Sequence, residues 1–251
     1  MTLRAALLLL LIGLVSGCVT TGKINPMDTK KGRNEARDAY IQLGLGYLRQ
    51  GDTERAKVPL KSALDLDPRS QAANAALALV FQAEREPQLA EEYFRKSLSA
   101  GEDARIRNNY GSFLYEQKRY PEAYEMFQKA ADDPLYPERS RVFENLGMAA
   151  LQLGHRDEAQ GYLEKAVGMN RQQPRALLEL AEIAYARQQY VPARDYFQRF
   201  SQLSEQNARS LLLGVRLAKV FDDKNTAASY GLQLKRLYPG TPEYQQYLSE
   251  Q

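Results

Sequence analysis

The chain has one cysteine, Cys18, and one histidine, His155, so the chemistry open to it is narrow. A single thiol can form neither an internal disulfide nor a thiolate metal cage, which leaves packing to hold the fold. His155 falls in the predicted turn Gly154-His155-Arg156-Asp157 and reads as a surface side chain, not as a metal ligand or a general base. Carboxylates adjoin at Glu91-Glu92 and Asp222-Asp223, in the setting of solvated helix faces and turns. The glycines recur singly and never gather into a phosphate-cradling loop. No catalytic residue, metal, cofactor or small-molecule substrate is therefore expected, and function should reside in binding. A net charge of +3 over 251 residues makes no case for nucleic acid.

Cys18 has another use. Arg4 supplies a positive start, and Ala5 to Val15 is an apolar run too short to span a bilayer, which takes ~20 residues. The run closes in Val15-Ser16-Gly17-Cys18. This resembles a bacterial lipobox, which implies that residues 1–17 are a lipoprotein signal peptide and that Cys18 begins the mature chain as a lipidated residue. Three acyl chains at ~0.8 kcal/mol per buried CH2 would make the anchor permanent. By the sorting rule of such lipoproteins an Asp after the Cys favours the inner membrane; Val19 stands there, implying the periplasmic face of the outer membrane. Residues 18–34, mostly polar with Gly and Pro, are expected to be a flexible tether with a reach on the order of 20–25 Å.

From residue 35 to residue 251 the pattern is helical, with apolar residues three and four apart. A longer period overlies it. Ala56, Leu60 and Ala63 are echoed by Ala90, Phe94 and Ser97, by Ala123, Phe127 and Ala130, by Ala159, Leu163 and Ala166, and by Ala193, Phe197 and Phe200, at intervals of 33 to 36 residues. An apolar–small pair precedes each: Leu43-Gly44, Leu77-Ala78, Tyr110-Gly111, Leu146-Gly147, Leu180-Ala181 and, before a sixth copy, Leu213-Gly214. Small residues admit two antiparallel helices to close approach, large ones fill the seam, and Pro68 stops a second helix for want of an N–H. These residues resemble the tetratricopeptide repeat (TPR). The resemblance implies an all-α, right-handed TPR solenoid of about six helix-turn-helix repeats starting near 37, 71, 104, 140, 174 and 207, with a short C-terminal capping helix.

The sixth copy departs from the pattern: the gap from Gly214 to Ala227 is one residue longer than elsewhere, and Gly231 stands where Phe or Leu is expected. Pro242 to Ser249 is predicted to be a short helix whose Tyr244, Tyr247 and Leu248 cap the last apolar face. Asp132 to Pro137, with two prolines, is expected to be an extended connector and a flex point.

Such repeats bind through the face lined by the first helix of each pair. Projected onto it, the first two repeats are apolar, with Ile41, Leu45 and Leu48, then Ala72, Ala75, Ala76 and Leu79. The next two are polar, with Arg105, Asn108, Asn109 and Tyr115, then Arg141, Glu144, Asn145 and Met148. The apolar stripe suits a partner groove, packing between repeats or cover by the preceding linker. Asparagine is a poor mid-helix residue that needs another reason to be there. The amides of Asn108, Asn109 and Asn145 suit an extended peptide backbone, as in resembling TPR proteins, and Arg105 and Arg141 suit a carboxylate.

Beyond the repeat, the chain resembles the PilF/PilW pilotin family of type IV pilus biogenesis lipoproteins. The resemblance rests on residues 36–48, on Asn108-Asn109-Tyr110-Gly111 with Phe113-Leu114-Tyr115-Glu116-Gln117, on Leu135-Tyr136-Pro137-Glu138-Arg139-Ser140, and on residues 207–219 and 227–239. It implies an outer-membrane lipoprotein that binds the pilus secretin and promotes its localisation and assembly as a multimer. In that case Ile41, Leu45, Leu48 and Leu79 would bury an apolar face of the partner, and the Asn–Arg section would fix its register. The alternative is a TPR adaptor lipoprotein for another envelope machine, such as barrel assembly or a periplasmic protease.

Overall fold

A computed structural model describes residues 25–250, so Cys18 and most of the expected tether lie outside the described residues. Thirteen α-helices follow a short 3-10 turn at Pro26–Asp28. The first four are α1 (Lys30–Arg49), α2 (Thr53–Leu66), α3 (Gln71–Ala83) and α4 (Pro87–Ala100). Then come α5 (Ala104–Glu116), α6 (Tyr120–Ala131), α7 (Arg139–Gln152), α8 (Arg156–Met169) and α9 (Pro174–Ala186). The chain ends with α10 (Tyr190–Leu203), α11 (Ala208–Val220), α12 (Lys224–Leu237) and α13 (Pro242–Ser249). Two compact units divide at Ser97 and Leu98, near the end of α4. The fold is thus all-α, a tandem series of helix-turn-helix pairs with a short terminal helix.

One backbone device makes every pair. In each turn a single residue takes a positive φ: Gly51, Arg85, Lys118, Gly154, Gln188 and Asp222. The N–H following it donates five residues back, as from Asp52 to the Tyr47 carbonyl, Arg119 to Leu114 and Asp223 to Ala218. That bond is the signature of a Schellman closure, which satisfies carbonyls the helix end leaves bare. Glycine takes the left-handed conformation freely, but four of the six turns use other residues, which accept its cost in return for the closure.

Counted from these turns the packing positions fall in register. Seven residues before lie Gly44, Ala78, Gly111, Gly147 and Ala181; nine after lie Leu60, Phe94, Phe127, Leu163 and Phe197. A Cβ built on Gly44 would stand 2.5 Å from Leu60 Cγ, on Gly111 2.6 Å from Phe127 Cε1, and on Gly147 2.5 Å from Leu163 Cγ. The small residue in the first helix therefore seats the large one in the second. In the first unit Ala56, Leu60, Ala76, Leu77 and Val80 form a core, with Ile41, Ala63 and Ala73 beside it. In the second, Leu163, Leu177, Leu180, Phe197, Phe200, Leu213 and Leu217 run together through α8 to α11.

The sixth pair corrects the sequence reading. Seven before Asp222 is Val215, not Gly214, so the gap to Ala227 has its ordinary length and the apolar–small order is reversed as Gly214-Val215. Gly231 does occupy the large position, and the bulk arrives from elsewhere: a Cβ there would overlap the Tyr247 ring of α13. Tyr244 and Tyr247 pack on Leu211, Leu212 and Leu234, while Leu248 is exposed. The terminal helix supplies the side chain its neighbour lacks.

Two other expectations change. The helical body starts earlier than residue 35: Thr29 accepts from the Gly32 N–H and caps α1 at Lys30, and Gly32 lies so close on Pro26 that no side chain would fit. The segment 132–138 is not extended. It folds into consecutive turns, with Tyr136 N–H to Asp133 O at 3.3 Å and Arg139 N–H to Tyr136 O at 3.1 Å.

Candidate functional site

The α1 surface comes first. Ile41 is buried against Ala63 and Ala73, so its side chain holds α1 to α2 and α3. Leu45 and Leu48 are half-buried and pack partly on the core of the first unit, and Leu79 of α3 is half-buried too. From sequence Tyr40 stands among the tyrosines suited to core or groove, and Leu43 reads only as a repeat position. Leu43 is 48 % exposed, whereas its equivalents Leu77, Leu146 and Leu180 are 5 %, 1 % and 1 % exposed. In those copies the second helix of the preceding pair packs on α3, α7 or α9. No described pair precedes α1, and its apolar edge stays open; the repeat motif, being the same in every copy, carries no trace of this.

In the second unit the polar residues are brought together, but chiefly with one another. Asn108 is buried on α5, and the Asn145 amide of α7 donates to its Oδ1 at 2.9 Å. Asn109 is half-buried, and Arg105 and Arg141 are exposed. Arg105 faces Asp103 at 3.8 Å, and Arg141 pairs with Glu138 at 2.8 Å. Glu144 is buried and accepts the Ala176 N–H at 3.0 Å, tying α7 to the first turn of α9. Burial raises its carboxyl above the ordinary value, against the opposing pull of Arg175. The Arg175 guanidinium lies 5.8 Å over the Tyr115 ring, whose hydroxyl is also raised by burial.

The ladder continues past the residues singled out from sequence. Arg209 of α11 forks onto Glu179 of α9, with bonds of 3.1 and 3.2 Å, and onto Glu182 at 3.1 Å. Burial works against the Arg209 charge, but the two carboxylates outweigh it and hold the guanidinium protonated more firmly than usual. Arg216 and Lys219 then clasp Glu250, the latter through its carbonyl at 3.0 Å. A signal for this face was present: Arg105, Arg141, Arg175 and Arg209 recur at 34 to 36 residues, each thirteen before a turn residue. Periodic arginine on first helices marks one continuous polar face of the second unit.

His155 caps no helix by its side chain and meets the edge of the Tyr124 ring at 6.4 Å. Among the described residues no group of His, Cys, Asp or Glu is placed to hold a metal ion. None of the described helices is long and apolar enough to cross a membrane.

Comparison with known proteins agrees with this geometry. Tetratricopeptide repeat families match residues 41–102, 102–172 and 145–208. Type IV pilus assembly protein PilF of Pseudomonas aeruginosa is 61 % identical over 251 residues, the whole of both chains. A solved structure of Pseudomonas aeruginosa PilF superposes with a TM-score of 0.86, covering 88 % of this chain and all of that one. That of PilW, a widely conserved type IV pilus biogenesis factor, is 32 % identical with a TM-score of 0.72, covering 86 % of this chain and 99 % of the other.

Proposed function

The chain belongs to the PilF/PilW family of type IV pilus assembly proteins, and on that premise we propose that it is a lipid-anchored scaffold that binds the pilus secretin and promotes its multimer assembly at the outer membrane. Its role lies in type IV pilus biogenesis. The anchor is Cys18, acylated at the amino terminus of the mature chain, and Val19 after it directs sorting to the outer membrane with the repeats in the periplasm. The repeats contribute surface and no reaction.

The observation that carries the binding reading is the open apolar edge of α1. Tyr40 and Leu43 are exposed, Leu43 at a place where later copies receive a packed helix, and Leu45 and Leu48, half-buried on another side of α1, pack in part on the core of the first unit. An apolar segment of the secretin laid there would gain up to ~1.5–3 kcal/mol for each large side chain that it buries fully. Several such contacts bring micromolar affinity within reach even after the cost of association. Leu79 extends the apolar surface of the first unit onto α3, and the arginine face of the second unit, with Arg105, Asn109 and Arg141 at its start, offers polar groups of its own to a partner.

The test is Leu45→Asp with Leu48→Asp, and separately Leu43→Asp, whose exposed position spares the core. Loss of secretin co-purification and of heat-stable secretin multimers is the expected result, with circular dichroism unchanged in the Leu43→Asp chain. Wild-type multimers and surface pili in the Leu43→Asp strain would remove the α1 edge from the binding surface. Recovery of a barrel-assembly protein or a protease in place of a secretin would overturn the choice of partner.

A further inference from the structure

Eleven residues after the turn, the second helices α4, α6, α8 and α10 each carry a cation: Lys96, Lys129, Lys165 and Arg199. Three of them are occupied. Lys96 pairs with Glu92 and Lys129 with Glu125, while Lys165 lies 5.4 Å over the Phe143 ring. Arg199 differs. It is half-buried, and although Asp195 stands one turn before it, it joins no ion pair or hydrogen bond among the described residues.

Arg199 lines a hollow of about 490 Å³ between α8 and α10, together with Arg171 from the connector after α8. Arg171 is exposed and likewise joins no ion pair among the described residues. Buried Val167 and Leu180 floor the hollow, and the Tyr196 hydroxyl in its wall meets no partner among the described residues. Burial raises that hydroxyl, with Glu164 adding to the rise and Arg199 opposing it, so it stays a donor. Gly168 keeps the hollow open: nothing stands within 4 Å of the place a Cβ would take, where neighbouring pairs carry Asp132 and Gln202. The one carboxylate in the lining, Glu164, already accepts from the Gln160 amide at 2.8 Å, and Asp195 stands outside the lining. Two guanidiniums against one carboxylate leave a single positive charge in excess, enough for a carboxylate and too little for a phosphate dianion.

We propose that this hollow is a second docking site, separate from the α1 edge, for a protein segment that presents one carboxylate beside a large apolar side chain. Arg171 and Arg199 clamp the carboxylate, the Tyr196 hydroxyl is the third donor, and the apolar side chain packs over Val167 and Leu180. The charged walls come from second helices and their connector, so the site is distinct from the arginine face that the first helices carry.

Fluorescence anisotropy with short labelled peptides tests this on the full mature chain in detergent. The peptides are centred on Leu-Glu-Phe, Leu-Gln-Phe and Ser-Glu-Ser. The first alone should bind, more weakly as salt rises. Arg199→Gln, Arg171→Gln and the charge-neutral Gly168→Gln, which fills the opening, should each weaken it about tenfold, with thermal unfolding unchanged. No binding of the Leu-Glu-Phe peptide, equal binding of either other peptide, or equal binding by wild type and Arg199→Gln would each overturn the proposal. So would sedimentation of the Cys18→Ser chain with phosphatidylglycerol vesicles that Arg199→Gln abolishes, which would give the arginines to lipid headgroups.

Discussion

Gly147→Ala and Gly161→Ala place one methyl group in each helix of the same pair, α7 and α8, with opposite surroundings. At Gly147 the new Cβ would lie 2.5 Å from Leu163 Cγ, 2.6 Å from its Cδ2 and 3.3 Å from the Ala159 carbonyl. Leu163 is fully buried, in an interior packed at the density of a crystal. At Gly161 nothing stands within 4 Å. Replacing a mid-helix glycine by alanine gains ~0.8–1 kcal/mol of helix propensity at either site. Gly161→Ala should therefore be stabilised by up to ~1 kcal/mol. Gly147→Ala adds an overpacking cost of ~1–3 kcal/mol, which leaves it between near-neutral and ~2 kcal/mol destabilised. The propensity gain cancels in the difference, so the two variants should be separated by ~1–3 kcal/mol. Urea unfolding followed by circular dichroism, with m compared between variants, measures it. A Gly147→Ala chain as stable as Gly161→Ala, or more so, would refute the view that glycine is there to seat Leu163.

Tyr247→Ala should strip the bulk from over Gly231 and cost ~1–3 kcal/mol, less than a fully buried ring; faster amide exchange in α11 and α12 is the check. Burial raises the Glu144 carboxyl above 4.5, so the folded chain favours its protonated form. That contribution is complete below pH 4.5 and disappears as pH climbs through the raised value. Glu144→Gln, which keeps an acceptor for the Ala176 N–H, should accordingly be more stable than wild type at neutral pH, by a margin that closes in acid; melting curves across that range test it. Asn108→Ala breaks the bond from Asn145 and should cost ~1 kcal/mol, and a double variant with Asn145→Ala should cost little more if the pair acts as one unit.

The helix pairs were legible because Gly44, Ala56 and Leu60 and their echoes are spaced by a steric rule that composition records directly. The turns were less so: a positive φ at Arg85, Lys118, Gln188 and Asp222 has no residue-type signal, and only Gly51 and Gly154 announce it. That gap is why the sixth repeat was counted from Gly214; the turn at Asp222 assigns the position to Val215. The early start of α1 depends on Thr29 finding the Gly32 N–H and on Gly32 lying against Pro26, local contacts that a hydrophobic period does not encode. At the candidate site, Asn108 and Asn145 were picked out as amides, but their bond to each other needs two helices side by side. Leu43 was read as core by its repeat position, and its exposure follows from the lack of a described pair before α1, which is a property of place in the stack and not of the motif. The arginines at 175 and 209 were within reach of the sequence, since they extend the spacing of Arg105 and Arg141.

The state of the pilus secretin in cells that lack this chain tests the function most directly. Membrane fractionation with immunoblotting should find the secretin as monomer and away from the outer membrane, restored to outer-membrane multimer by the wild-type chain and not by one carrying Cys18→Ser or Leu43→Asp. Multimeric secretin in the outer membrane of cells without the chain would contradict the account.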